Sequence, residues 1–381
     1  MSGVQVYGRY TAGSGAILPD KDRIWSALDD EDVIASYERS QRRDVAKSGI
    51  PVGALSDWHI MDVGTGRQAL AFMRMGAKRV SHFDISRENI ARVEAHIATH
   101  RLAGRLDTTC CDLVETDLGR SLFDFVYLNG IVQHFSDVGR GLVNGIRALK
   151  TGGFLWLYFY RSGTFDNFVL YMLRTLVGGS NVAADTELVR DHYAAARIFF
   201  APNAQDNYLT SIYMDGLFTR YAWLYRVDTY LDFAKACGLE VVSSSGIDPL
   251  GRHVDHSFAR AAGVVTFRKQ AEVDDASFAA SAKLLAPQAE VDQLDPALYE
   301  EPEILRSLEL YGRLREVLAA PTVPPWLRVL AAMRLFAVLA QSRAPDYDPM
   351  RRHADLQDVL ERLIAMLASE YGIREAAGDT K

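Results

Sequence analysis

Residues 58–66 read Trp58-His59-Ile60-Met61-Asp62-Val63-Gly64-Thr65-Gly66. A short apolar-rich run ends in an acid, then breaks into two glycines separated by one residue. The run reads as a buried strand, and the glycines allow a sharp turn in which backbone can approach a ligand closely. Gly-x-Gly turns are common, so this one gains weight only from the residues after it. Arg67–Met75 is an apolar helical stretch closed by Gly76. Arg79–Asp84 is a second strand, and Ser86 caps a helix running to about His100, with Asn89 where a capping-box Glu would stand.

The alternation continues. Leu106–Cys111 is a third strand followed by Asp112, and Phe123–Asn129 a fourth followed by Gly130. Asp137–Leu149 is a helix, and Phe154–Tyr160 is a fifth strand, apolar at almost every position, as for a strand covered on both faces. Strands alternating with helices predict an α/β fold with a largely parallel sheet. Four successive strands then end in small or acidic residues at one edge. Asp84 falls 22 residues after Asp62, where a Rossmann-like fold places a carboxylate to hold a ribose diol.

After Tyr160 the rhythm pauses in an aromatic-rich insertion, 161–225. It resumes with a helix at Val227–Cys237, a sixth strand at Leu239–Ser245, a loop over 246–260 and a final strand at Ala262–Phe267. That last strand is expected to be antiparallel, because a connection of this kind without a helix suits a hairpin-like return. Beyond residue 270 glycine becomes scarce and proline common. Helical patterns cover Glu303–Ala319, Pro325–Ser342 and Asp355–Tyr371. The expected organisation is an N-terminal helical arm (1–57), an α/β domain (58–270, with a lid insertion at 161–225), a linker (271–295) and a C-terminal helical region (296–381). Leucine spacing in that last region, at Leu305, Leu308 and Leu314 and at Leu356, Leu360, Leu363 and Leu367, implies packing against the domain or a second subunit, so a homodimer through these helices is an open expectation.

Composition narrows the function. The 381 residues carry a net charge of −7, and the excess acid lies entirely beyond residue 270. With no basic stripe, a nucleic-acid partner is not expected. Cys110, Cys111 and Cys237 make no disulfide framework, which suits a reducing compartment. No apolar run approaches the ~20 residues of a membrane helix, and the first ten residues lack the apolar core of a signal peptide. The expectation is a soluble, cytoplasmic protein with no membrane partner.

Charge also points to the ligand. A dinucleotide-binding turn usually has a third glycine opening the helix, whereas here Gly66 is followed by Arg67-Gln68-Ala69. Asp62 beside the turn would repel a pyrophosphate but suits a cation. Asp-Val-Gly-Thr-Gly (62–66), Phe83-Asp84-Ile85-Ser86, Cys111-Asp112-Leu113, the run Asp124–Phe135 and Leu149–Phe154 resemble, in order and spacing, the successive motifs of class I S-adenosylmethionine-dependent methyltransferases. The motifs cover about 58–160, and the strand order extends to 268. The resemblance implies a seven-stranded Rossmann-like sheet with helices on both faces and S-adenosyl-L-methionine as cofactor. It implies that Asp62, Gly64, Thr65 and Gly66 hold the methionine part, Asp84 with the neighbouring Ile85 the ribose, and Asp112 with the Leu113 amide the adenine. Asn129 and Gly130 would floor the site near the methyl group. The residue at 68, often glycine in the family, is a departure that bears on the methionine end.

Acceptor chemistry is less specified. His134, just past the fourth strand, could serve as a base, or could simply pack at a helix start. Tyr160 and Arg161 end the fifth strand, where a hydroxyl could orient an acceptor and a guanidinium could pair with an anionic one; Tyr158 reads more simply as core. His253, Asp255 and His256 follow the sixth strand and could contribute an acid or base, or a metal ligand, although a solvated loop is the plainer reading and no metal is expected. The insertion's Phe165, Phe168, Tyr171, Tyr208, Tyr213, Tyr221 and Trp223 suit either a lid over the site or a core of their own. Cys110 and Cys111 read as small hydrophobes ending a buried strand. Together these residues favour methylation of a small molecule, with oxygen slightly preferred. The alternatives are a protein-substrate methyltransferase docked through the C-terminal helices, or a non-catalytic subunit of the same fold.

Overall fold

The computed structural model describes residues 31–178, 217, 219, 221–245, 262–287, 294–298, 302–342 and 346–373. They fall into two compact units, one formed by 1–162 with 219–289 and the other by 163–218 with 290–381.

The first unit is built on a seven-stranded sheet: β1 (His59–Val63), β2 (Arg79–Asp84), β3 (Leu106–Cys110), β4 (Phe123–Asn129), β5 (Leu149–Tyr160), β6 (Leu239–Ser245) and β7 (Ala262–Lys269). Their order is β3-β2-β1-β4-β5-β7-β6. β1 to β5 pair in parallel, and β7 runs antiparallel to both β5 and β6. The seven-stranded Rossmann-like architecture and the reversed last strand agree with the sequence reading. Strand order reverses between β1 and β4, and in open α/β sheets the crevice beyond the strands' C-terminal ends at such a switch is where ligands bind.

Alternation along the strands feeds two cores. Met61, Val63, Val126, Leu128, Leu155, Leu157 and Phe159 face one. Ile60, Val80, Phe125, Tyr127 and Trp156 face the other, as the period of two along a strand requires. Helix α1 (Glu31–Lys47) contributes Ile34 and Val45 to the second core. Just beyond it, the Ser48 hydroxyl accepts from the Trp156 indole at 3.1 Å. The part of the N-terminal arm from residue 31 is thus integral to the unit.

Helices α2 (Arg67–Arg74), α3 (Arg87–Thr99), α4 (Val138–Ala148) and α6 (Val227–Ala236) lie close to the expected bounds. Two expectations change. β5 begins at Leu149, five residues early, because Leu149 pairs with Phe123 before a register shift restores the ladder at Phe125–Phe154. The segment expected as linker is not one: α7 (Asp275–Ala282) and a 3₁₀ turn at Lys283–Leu285 bury Phe278 and Leu285 in the main core. The Tyr225 hydroxyl donates to the Leu285 and Ala286 carbonyls at 3.0 and 2.9 Å. α7 approaches α4 closely at Gly139, where an added Cβ would lie 2.1 Å from the Ala282 carbonyl oxygen.

In the second unit, α5 (Phe165–Leu173) lies with α8 (Glu303–Ala319), α9 (Trp326–Gln341) and α10 (Arg352–Tyr371). Thr164 caps α5 by accepting from the Asn167 amide. The Tyr311 hydroxyl donates to the Met172 carbonyl at 2.7 Å, and Phe165 meets His353 edge-on at 5.0 Å. Phe165, Phe168 and Tyr171 are buried, so of the two readings for the insertion's aromatics these three take the core one. Of Leu305, Leu308 and Leu314, only Leu314 is buried and Leu305 is exposed, whereas Leu356, Leu360, Leu363 and Leu367 are all buried. No helix among the described residues is long and apolar enough to cross a membrane.

Candidate active site

Gly64 and Gly66 take φ of +130° and +86° at the end of β1, conformations that favour glycine. The Gly64 amide donates to the Phe83 carbonyl at 3.0 Å, tying the turn to β2. Gly66 also lacks room for a side chain, since a Cβ there would lie 2.3 Å from Val93 Cγ2.

A residue not singled out from sequence holds the turn from beneath. His82 on β2 is fully buried, with Nε2 2.6 Å from the Gly64 carbonyl oxygen and Nδ1 2.7 Å from the Thr108 hydroxyl. Burial pushes its pKa down to about 4, so the ring is neutral and carries one proton. A carbonyl can only accept, so that proton sits on Nε2 and Thr108 donates to Nδ1. A lone histidine inside an apolar strand offers no sequence signal for this role.

Two acids stand at the strand ends. Asp62 is 1 % exposed, and among the described residues neither of its carboxylate oxygens has a hydrogen-bond partner. Burial, chiefly, raises its pKa to about 8, with the field of Asp84 adding to it and the Ala69 and Val63 amides pulling the other way. Asp84 is 4 % exposed, and burial raises it to about 7. Its two oxygens accept from the Ser86 amide at 2.6 Å and the Asn89 side chain at 3.2 Å. Asp112 is half-buried and accepts from the Val114 amide at 2.9 Å; its pKa is raised by burial.

These groups converge on a cavity of about 620 Å³, part of it open to solvent. Of the residues singled out for cofactor binding, Gly64, Asp84, Ile85, Asp112 and Leu113 line it, and His134 lines it as well. Asp62 lies near the end of β1, just before the turn that Thr65 and Gly66 continue, and Asn129 ends β4 with Gly130 between it and the lining residue Ile131. Val63, Phe83, Cys111, Phe135, Ser136 and Tyr221 complete the wall. β3 is the sheet's edge strand, so Cys110 is exposed and Cys111 half-buried, which corrects the expectation of two cysteines enclosed at the end of a buried strand.

His134 ends a 3₁₀ turn at Val132–His134, and its Nδ1 lies 2.8 Å from the Tyr221 carbonyl oxygen. Tyr160 meets the His134 ring edge-on at 6.1 Å but does not line the cavity. Arg161 is buried in a bridge to Tyr225 and does not line it either, so the suggestion that it pairs with an anionic acceptor is not supported by its position. His253, Asp255, His256, Tyr208 and Tyr213 lie outside the described residues. Of the insertion's described aromatics named from sequence, only Tyr221 is on the wall, and Trp223 is in the core. Among the described residues no group of three or more His, Cys, Asp or Glu is placed to hold a metal.

Residues 61–157, which contain the turn and all the strand-end acids but not Tyr221, match the family described as "Methyltransferase domain". Those residues form a domain of the class I S-adenosylmethionine-dependent methyltransferase kind. One curated relative of this chain is the "Ubiquinone biosynthesis O-methyltransferase" of Bradyrhizobium sp. (strain ORS 278). It is 31% identical over 115 residues, 30% of this chain and 44% of that protein. The chain thus spans less than half the length of the curated relative it matches. Among solved structures, it is similar to an S-adenosylmethionine-dependent methyltransferase from Mesorhizobium loti, with 17% identity, 61% of this chain and 97% of that one covered and a TM-score of 0.38. It is also similar to the 1,6-didemethyltoxoflavin-N1-methyltransferase of Burkholderia thailandensis, with 15% identity, coverage of 68% and 91% and a TM-score of 0.37. Likeness at that level assigns no residue.

The residues present fit the family's cofactor. An orphaned, buried carboxylate at Asp62 is costly unless a cation or donor meets it, and the cofactor's ammonium and sulfonium are cations. Asp84, oriented by two donors, retains lone pairs for a diol.

Proposed function

We propose that this methyltransferase acts on a small-molecule hydroxyl of apolar or aromatic character. The observation that carries the reading is His134 on the cavity wall, its Nδ1 engaged by a backbone carbonyl, among Ile131, Phe135 and Tyr221. Among the described residues no Lys or Arg lines the cavity, which favours a neutral acceptor over an anionic one. The name of the Bradyrhizobium relative, an O-methyltransferase, supports oxygen as the acceptor atom.

In this reading Asp62 and the Gly64–Gly66 turn hold the methionine end, Asp84 with Ile85 the ribose, and Asp112 with Leu113 the adenine. Asn129 and Gly130 border the reacting end. When bound, the cofactor supplies a methyl group already activated on a sulfonium sulfur. The protein's part is to align the acceptor, exclude water and receive its proton. His134 accepts the hydroxyl proton on Nε2, and the apolar wall keeps competing water away.

Methyl-labelled S-adenosylmethionine offered with a panel of catechol, an aliphatic amine and a thiol tests this. The expected result is label on catechol, lost by about 10²–10⁴-fold in His134→Ala with cofactor affinity unchanged. Label transfer to the amine alone, or full activity in His134→Ala, overturns the assignment of oxygen or of the base respectively.

A further inference from the structure

The turn carrying His134 is held by one short segment on the far side of the insertion. The Trp223 amide donates to the Gln133 carbonyl at 2.9 Å. The Trp223 indole Nε1 donates to the Phe135 carbonyl at 2.8 Å. Between them, the Tyr221 carbonyl meets His134 Nδ1 at 2.8 Å. Residues 133, 134 and 135 are therefore each bonded by one of two residues, Trp223 at 133 and 135 and Tyr221 at 134. The Tyr221 and Trp223 rings stack 5.6 Å apart, and Trp223 is buried, so the clasp has a packed base.

Its chemical consequence lies in which atoms can donate. A carbonyl oxygen has no proton, so the bond to His134 requires the proton on Nδ1, which leaves Nε2 as the basic nitrogen of the neutral ring. In His82 the same logic gives the opposite outcome, with the proton on Nε2 and the ring committed to structure. We propose that Tyr221, through its carbonyl, and Trp223, through its indole, are positioning residues that fix His134 in the Nδ1–H tautomer. This rests on the reading of His134 as the acceptor's base. The two positioning residues stand 87 and 88 positions downstream of the groups they hold, so the geometry of the base depends on the chain's return from the insertion.

The test reads the tautomer directly. Full-length protein labelled with ¹⁵N-histidine and saturated with S-adenosylhomocysteine gives long-range ¹H–¹⁵N correlations, and the His134 ring is assigned by its loss in His134→Ala. The expected wild-type pattern is a pyrrole-type Nδ1 and a pyridine-type Nε2. In Trp223→Phe the two nitrogen shifts should move toward each other as tautomers mix. Labelled methyl transfer to catechol should then fall at least tenfold in kcat, with the KM for cofactor within twofold. A protonated Nε2 in the wild type overturns the positioning role without any variant having to fold. So does Trp223→Phe with an unchanged pattern and unchanged kcat. Full transfer by His134→Ala instead overturns the base reading on which the role depends, a different failure from a wrong tautomer.

Discussion

Asn89 donates its side-chain amide to Asp84 Oδ2 at 3.2 Å while its own backbone N–H bonds the Ser86 hydroxyl at 3.3 Å. One residue at the start of a helix thus completes the cap and orients the carboxylate that the ribose is proposed to meet. The position that sequence marks as the far end of a capping box bonds the acid instead of the cap's own backbone.

That bond separates orientation from charge. Asn89→Ala should weaken S-adenosylmethionine binding by about 1 kcal/mol, the usual net worth of a hydrogen bond, roughly fivefold in Kd. Asp84→Ala should cost about 1.5–3 kcal/mol, as charged hydrogen bonds do. Losses that add in full in the Asn89→Ala/Asp84→Ala double variant, measured by calorimetric titration, would mean that Asn89 acts on the ligand itself and not through Asp84.

Asp62 couples affinity to stability with opposite signs. Its folded pKa is raised to about 8 from a reference of 3.8. The ligand-free protein therefore binds more protons than the unfolded chain between those values, and stability contributed by this group is lost as pH rises through about 8. Asp62→Asn should raise the melting temperature at pH 8.5 by several degrees and by distinctly less at pH 5. The same variant should bind S-adenosylmethionine more weakly. In the wild type, affinity should fall as pH drops from 9 to 6, because a cation prefers the ionised carboxylate. A pH-independent Kd would remove Asp62 from the cation's neighbourhood.

His82 supports the turn without lining the cavity. His82→Phe leaves the Gly64 carbonyl without its partner and should lower unfolding free energy by about 1–3 kcal/mol, with looser cofactor binding. Unchanged stability in denaturant unfolding would show that the Gly64 carbonyl is satisfied some other way.

Gly66→Ala meets two obstacles, a left-handed φ of +86° and Val93 at 2.3 Å. Adding Val93→Ala should relieve the collision but not the backbone strain, so cofactor affinity should return only in part. Full recovery in the double variant would mean that space alone dictates glycine.

Much of the fold and of the candidate site's lining was legible locally. The strand-end acids and the Gly64–Gly66 turn sit at positions that period and punctuation mark, and β4 and β6 carry the bounds their residues suggest. The features that were not legible are set by partners far along the chain. Asp275–Ala282 has one large apolar residue, Phe278, and no amphipathic stripe, so nothing local distinguishes it from linker; its helix docks where Gly139 leaves room. His82 is a polar residue in an apolar strand, whose meaning depends on Gly64 and Thr108. The partner of His134 is a backbone carbonyl, which carries no side-chain signature at all.

Cofactor binding through the strand-end acids is decided by calorimetric titration of the full-length protein with S-adenosylmethionine and with S-adenosylhomocysteine, wild type against Asp84→Ala. The expected result is micromolar binding of both ligands by the wild type and a loss of about 10–150-fold in the variant, the equivalent of the charged hydrogen bonds removed. Wild-type affinity retained by Asp84→Ala, or no binding of either ligand to the wild type, would contradict it.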